Sequence, residues 1–228
     1  MKRFLFLLIA LSSLGLFSQE IPNFSEVDSL YREDQFYFGI SYNFLKNKPI
    51  GVSQNSFSAG LNLGFLRDMP LNKSRTVAIA AGLGFSYNNY KNNLVIEKNN
   101  NDIKYTTLVS GVPYDKNKLA LYYLEVPIEF RWRTSTPESH KFYRIYSGFK
   151  FSYLLLNQSR YVASGSNFKV NNNPDINKIQ YGVYITSGWN AWNFYVYYGL
   201  QDIFKKGTLN GEKLELTTLN FGLMFYVL

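Results

Sequence analysis

The chain has 228 residues, a formal net charge of +8, no cysteine, one histidine and an aromatic share of 18%. Without cysteine there are no disulfide staples and no lipidated N-terminal cysteine, and a single histidine removes most zinc sites. Mean hydropathy is −0.18, and no apolar run beyond residue 20 is long enough for a transmembrane helix.

Lys2 and Arg3 precede an apolar run from Phe4 to Ala10 that continues through Leu11, Leu14, Leu16 and Phe17. A basic start, a short apolar core and small residues near Ser18 predict a secretory signal peptide over residues 1–19. The run is shorter than the roughly 20 residues a spanning anchor needs. Losing Lys2 and Arg3 with the signal lowers the net charge from +8 to +6. Charge of this sign suits polyanions, and for an exported chain these are anionic glycan or lipid head groups, not nucleic acid. Residues 20–34 are polar and aperiodic, and read as a periplasmic lead-in.

Residues 35–228 then alternate. Phe36, Phe38, Ile40, Tyr42 and Phe44 form one row of the first strand, against Tyr37, Gly39, Ser41 and Asn43. Side chains on a strand point to opposite faces in turn, so each such segment has one apolar and one polar face. After the turn KNKPIG a second strand starts near Ser56, and a turn with Asp68 and Pro70 ends it. The third strand runs from Val77 to Asn88. Residues 89–118 read as a long Asn- and Lys-rich loop with room for strand extensions, weakly apolar at Leu94–Ile96, with five lysines against three acids.

The fourth strand, Leu119–Arg133, sets Tyr122, Leu124, Val126, Ile128, Phe130 and Trp132 against Tyr123, Glu125, Pro127, Glu129, Arg131 and Arg133. Four charges on one short face cannot all lie unpaired in a dry core. The turn 134–141 leads to a fifth strand whose polar row holds Arg144, Tyr146, Gly148, Lys150 and Ser152. A second loop spans roughly 157–176. The sixth, seventh and eighth strands start near Ile179, Trp192 and Thr218. Eight amphipathic strands without intervening helices must pair antiparallel, as a meander. Connections alternate short and long from the second onward; the first, expected on the long side, is only six residues.

A soluble barrel would carry its apolar row inside, whereas a membrane barrel carries it outside. Three features favour the membrane. Glycine recurs in the polar row, as a crowded lumen would require. Aromatics gather at both ends of the apolar rows, with Phe36, Phe65, Trp132, Tyr143, Trp192 and Phe225 at one end. The sequence closes on the alternating run Phe225–Leu228. The fold class expected is therefore all-β: an eight-stranded antiparallel up-and-down transmembrane barrel in the outer membrane of a Gram-negative bacterium.

Eight strands enclose only enough space for side chains. The inward charges Glu125, Glu129, Arg131, Arg144 and Lys150, with Lys178, are accordingly expected to form a lumen charge network, Glu125 and Glu129 pairing with Lys150, Arg144 or Arg131. His140, beside Glu138 and Ser139 in a polar turn, does not make a catalytic triad. Loop carboxylates Asp102, Asp115 and Asp175 lack calcium-loop spacing. No enzyme activity, cofactor or metal is expected.

Tyr123-Leu124-Glu125-Val126-Pro127-Ile128, Tyr146-Ser147-Gly148-Phe149-Lys150, Tyr198-Gly199-Leu200-Gln201-Asp202-Ile203 and Phe221-Gly222-Leu223 resemble the PorT-like outer-membrane β-barrel family of Bacteroidota, among OmpA-like small barrels. The resemblance covers roughly residues 35–228. It implies a non-enzymatic barrel that serves as subunit or partner of an envelope assembly for type IX secretion, gliding or barrel insertion. The alternative is a stand-alone surface barrel whose basic loops bind glycan or lipopolysaccharide. Asn220, Gly222, Phe225 and Val227 look like the signal read by the barrel-assembly machinery. The partners expected are outer-membrane lipid, that machinery during insertion, and other envelope proteins.

Overall fold

The computed structural model describes residues 32–227, apart from 55, 101, 109, 110, 112 and 136–141. The expected signal peptide, most of the lead-in, and His140 with its neighbours lie outside the described residues. The strands, in chain order, are β1 Gln35–Lys46, β2 Ala59–Pro70, β3 Val77–Tyr90, β4 Leu94–Asn99, β5 Asp102–Thr107, β6 Lys116–Arg133, β7 Tyr143–Ala163, β8 Ser166–Asn171, β9 Ile179–Trp189, β10 Trp192–Gly199, β11 Thr208–Leu209, β12 Glu212–Lys213 and β13 Thr217–Val227.

Among the described residues, β1, β2, β3, β6, β7, β9, β10 and β13 pair antiparallel with their neighbours in that order. The ring closes where Phe36 faces Val227 and Lys46 faces Thr217. Closure leaves no edge in the ring, which suits strands rich in aromatic and β-branched residues. Pro127 sits inside a ring strand although it has no N–H to donate. Its cost is localised: the β3–β6 ladder runs to Ala81↔Ile128 and resumes at Gly84↔Glu125, so Pro127 and Val126 have no ladder partner on β3, while Gly82 and Leu83 keep their pairing with β2.

The wall is turned polar side in. Glu125 and Glu129 are 4% and 1% exposed, whereas Val126 and Ile128 between and beside them are 39% and 44% exposed. Such an apolar outer belt is stable only against hydrocarbon. Aromatic rings cluster at the short-turn end of that belt, with Phe36–Phe65 centroids 5.1 Å apart, Tyr143–Trp189 4.3 Å and Trp192–Phe225 4.9 Å. At the other end Tyr87 and Tyr122 lie 5.0 Å apart.

Three sequence expectations change. The β1–β2 connection is long, residues 47–58, because the chain before β2 joins the cap at the barrel mouth instead of the ladder. There the Ser53 N–H donates to Asn93 Oδ1 at 2.7 Å and the Leu45 N–H to Gln54 Oε1 at 2.9 Å. All the described connections at that end are therefore long, and those at the other end short. Asp68 is not in a turn: β2 continues to Pro70 and points this carboxylate inward. Finally, residues 89–118 and 157–176 are largely ordered β-structure. They contain the hairpin β4–β5 and a tall extension of β6 and β7, with β8 added beside it.

Arginine in place of Val126 or Ile128 is expected to destabilise the bilayer-inserted barrel by roughly 2–4 kcal/mol. Urea unfolding of vesicle-reconstituted protein measures this; unchanged stability would mean that the outward row does not meet lipid.

Candidate functional site

The lumen is filled in three layers. Nearest the short-turn end is an ion cluster centred on Asp68. Arg133 grips its carboxylate with two hydrogen bonds, Nη1 to Oδ1 at 2.8 Å and Nη2 to Oδ2 at 2.7 Å. Arg131 Nη1 donates to the same Oδ1 at 2.9 Å, and its Nε donates to Glu129 Oε2 at 2.8 Å. Glu129 in turn accepts from Tyr184 Oη at 2.7 Å and Tyr226 Oη at 3.3 Å. Residues i and i+2 on β6 share its inner face, so Glu129, Arg131 and Arg133 stack along one row. Asp68 reaches them from β2 across β3, where the inward residues are the small Ala78 and Ala80.

Arg144 is buried beside this cluster but forms no ion pair among the described residues. Its guanidinium lies over the rings of Phe142, at 4.5 Å, Tyr226 and Tyr146. Cation–π contacts, not a carboxylate, hold it.

The middle layer is aromatic. Lys150 Nζ forms an ion pair with Glu125 Oε2 at 2.9 Å and donates to Tyr195 Oη at 3.2 Å. Glu125 Oε1 also accepts from Ser86 Oγ at 2.7 Å. The Tyr184, Tyr195 and Tyr197 rings surround the ammonium at 5.3–5.5 Å. Glycine makes room for these rings: a Cβ at Gly84 would collide with Tyr37, one at Gly148 with Tyr184 and one at Gly182 with Tyr197. Above Lys150 remains a cavity of about 20 Å³, lined in part by Asn62, Gln180, Asn220 and Ile203. That volume holds about one water molecule.

The top layer is an apolar cap built by the long connections. Leu45, Tyr90, Leu94, Ile96, Leu121, Ile176, Phe204, Leu214 and Leu216 are buried together across the mouth. Polar pins fix it: Tyr105 Oη donates to Asp175 Oδ2 at 2.8 Å, Asn173 Nδ2 donates to that hydroxyl at 2.9 Å, and Asn117 Nδ2 donates to the carbonyls of Asn92 and Leu94 at 2.7 and 3.0 Å. Burial pushes the Tyr105 phenol well above the usual tyrosine range. Hairpin β11–β12 turns at Asn210-Gly211, both with positive φ, the backbone that a two-residue type I′ turn requires.

Of the sequence-predicted charges, the fold brings Glu125 to Lys150 and Glu129 to Arg131, and leaves Arg144 to the aromatic rings. Lys178 is not in the lumen. The β7–β9 ladder begins at Tyr153↔Ile179, so Lys178 stands just beyond it, exposed. Asp68 and Arg133 complete the cluster. Asn220 is buried and its Oδ1 accepts from Thr218 Oγ1 at 2.7 Å. Gly222 packs against the Ile40 and Ser41 backbone, while Phe225 and Val227 point outward beside Trp192 and Phe36. In the folded barrel these four close the β1–β13 seam. Among the described residues, no cluster of His, Cys, Asp or Glu could hold a metal ion.

Removing one partner of a desolvated pair strands the other. Asp68→Asn is expected to cost about 3–5 kcal/mol, and Glu125→Gln or Lys150→Met several, whereas the last two combined should cost less than their sum. Denaturant titration with heat-modifiable gel mobility reads each variant. Additive losses would mean that the charges are solvated separately.

The family model of the outer membrane protein beta-barrel domain matches residues 17–205. No curated protein matches the chain. Among solved structures, the chain is similar to Ail, the attachment invasion locus protein of Yersinia pestis, at 12% identity and a TM-score of 0.42, covering 86% of this chain and 99% of that one. A chain described under asymmetric conductivity of engineered proteins is 9% identical, with a TM-score of 0.21, covering 85% and 99%. With the family match spanning β1 to β10, the chain belongs to the outer membrane protein beta-barrel domain family and resides in the outer membrane.

Proposed function

We propose that this barrel neither catalyses a reaction nor conducts, and that it serves as an integral subunit or partner of a larger envelope assembly. One observation carries the reading: the described interior is occupied from the Asp68 cluster to the apolar cap, with room for about one water above Lys150. A filled lumen leaves the outer wall and the capped end as working surfaces. The cap is packed and pinned by hydrogen bonds, so it presents one fixed shape to a partner. The resemblance to PorT-like barrels of Bacteroidota supports type IX secretion, gliding or barrel insertion as the process served. Asn220, Gly222, Phe225 and Val227 would be read by the assembly machinery before the seam closes.

A second reading, a surface barrel binding anionic glycan or lipopolysaccharide, is favoured by a specific feature. Lys91, Lys116, Lys118, Arg160 and Lys169 stand on the wall extension without an ion-pair partner among the described residues.

Co-purification from solubilised outer membranes tests the subunit reading, which predicts a stoichiometric protein partner; recovery of the barrel alone under several mild detergents would count against it. Planar-bilayer recording of the pure protein is expected to give no unit conductance steps. Regular steps would overturn the filled-lumen account.

A further inference from the structure

The register of the tall β6–β7–β8 extension places three cations side by side. Lys118 faces Arg160, and Arg160 faces Lys169. Lys118 and Arg160 alternate in step with outward residues nearer the belt, Tyr122 and Leu124 on β6 across a buried Ala120, and Gln158 and Leu156 on β7, and Lys169 is exposed on β8. Like charges directly opposite one another on a sheet face destabilise it, so this row needs a reason. No carboxylate pairs with it among the described residues. Burial of its stem and the neighbouring Lys116, Arg160 and Lys91 hold the Lys118 ammonium below the usual lysine range.

Below the row the wall has a gap. The β7–β9 ladder ends at Tyr153↔Ile179 with one further bond, Leu154 N–H to the Lys178 carbonyl at 2.7 Å. The β7–β8 ladder begins at Gln158↔Asn171 with one further bond, Asn172 N–H to the Asn157 carbonyl at 2.9 Å, so the opening lies at Leu155 and Leu156. Between them β7 bulges, since Tyr122 faces Leu156 while Tyr123 faces Leu154, leaving Leu155 as the extra residue. The gap is a pocket of about 470 Å³ lined by Leu155, Leu156, Asn157, Asn172, Pro174 and Lys178, among others. Tyr153, Leu154 and Ile176 add apolar lining, and Asn157, Asn172, Asn173 and Lys178 supply polar groups. The four steps from Tyr122 to Lys118 rise roughly 13 Å along the strand. At the usual strand tilt the cations stand about 10 Å above the aromatic boundary.

We infer that the Lys118–Arg160–Lys169 row and the pocket beneath it form a binding site for a phosphorylated glycolipid of the outer leaflet. Leu155 and Leu156 lie against an acyl chain, Asn172 and Lys178 meet the polar join, and the cation row neutralises the phosphates. The inference rests on the anion-binding reading and assigns it a location, away from the loop tips. Two neighbouring strands are about 4.8 Å apart, so the row is roughly 10 Å wide. A headgroup with more than one phosphate, standing clear of the acyl boundary, fits that width and height better than a single phosphodiester.

The test uses the full protein in phosphatidylcholine nanodiscs, with diphosphoryl lipid A or fully dephosphorylated lipid A added, and bound lipid counted by native mass spectrometry. Wild type is expected to prefer the phosphorylated form at least tenfold. The triple variant Lys118→Gln, Arg160→Gln, Lys169→Gln should lose that preference yet stay folded, with an unchanged or higher thermal midpoint, because it removes repulsion. A variant losing the same charge elsewhere, Lys98→Gln, Lys104→Gln, Lys213→Gln, should bind as wild type. Retained preference in the first variant, or equal loss in the second, overturns the site while leaving the anion-binding reading standing. No preference in wild type overturns the site and the lipopolysaccharide form of that reading together. Displacement of the lipid by millimolar inorganic phosphate would assign the row to a free anion and overturn the glycolipid.

Discussion

Asp68 is the group on which the interior depends. An arginine buried in a lumen this narrow cannot keep its hydration, and removing two of them from water is tolerable only if a carboxylate takes both. Asp68 does so with both oxygens, receiving a bidentate fork from Arg133 and a third bond from Arg131. Planar forks of this kind fix distance and orientation together. The consequence travels up the barrel: Arg131 oriented by Asp68 holds Glu129, and Glu129 anchors the hydroxyls of Tyr184 and Tyr226. Those rings stand where glycine has left space, as Tyr184 does over Gly148. Charge pairing at one end therefore sets the packing of the aromatic layer above it.

The two ends of the barrel are solved by different physics. At the short-turn end, Asp68, Glu129, Arg131 and Arg133 pair with one another, and Arg144 rests on aromatic rings. At the long-connection end, an apolar core like that of a small soluble domain seals the mouth. It packs Leu94 and Ile96 from the β4–β5 hairpin against Ile176, Phe204 and Leu214 from later connections. Glu125 and Lys150 lie between, paired with each other and enclosed by tyrosine rings. Under the proposed reading a filled wall with a packed cap would act through its surfaces, and among the described residues the Lys118–Arg160–Lys169 row on the β6–β8 extension has no carboxylate partner.

Alternation made the ring legible in the sequence. A period of two, with Glu125 and Glu129 on one side and Val126 and Ile128 on the other, defines the two faces of the wall, and the glycines of the polar row with the aromatic ends of the apolar row turn the polar face inward. Glu125, Glu129, Arg131 and Lys150 were legible for the same reason. Asp68 was not, because a carboxylate two residues before a proline looks like a turn, and only the tertiary register shows that β2 runs on to Pro70. Arg144 lay in the correct row, but a row does not say whether a carboxylate or an aromatic ring will be its neighbour. The cap was hidden because its apolar residues come as short groups, such as Leu94–Ile96 and Leu214–Leu216, spread among polar connections. Their partners lie tens of residues away, and no local period marks them. The Lys118–Arg160–Lys169 row likewise exists only in cross-strand register.

The central claim is a barrel wall with lipid outside and a dry, self-paired interior. Site-directed spin labels along β9 read both sides of that wall at once. Labels at Tyr181, Val183 and Ile185 in vesicles should be reached by oxygen, which partitions into lipid. Labels at Gln180 and Thr186 should be shielded from oxygen and from a water-soluble nickel chelate alike. Nickel access at the inward positions comparable to that of an exposed loop would mean a water-filled lumen, and would contradict the account.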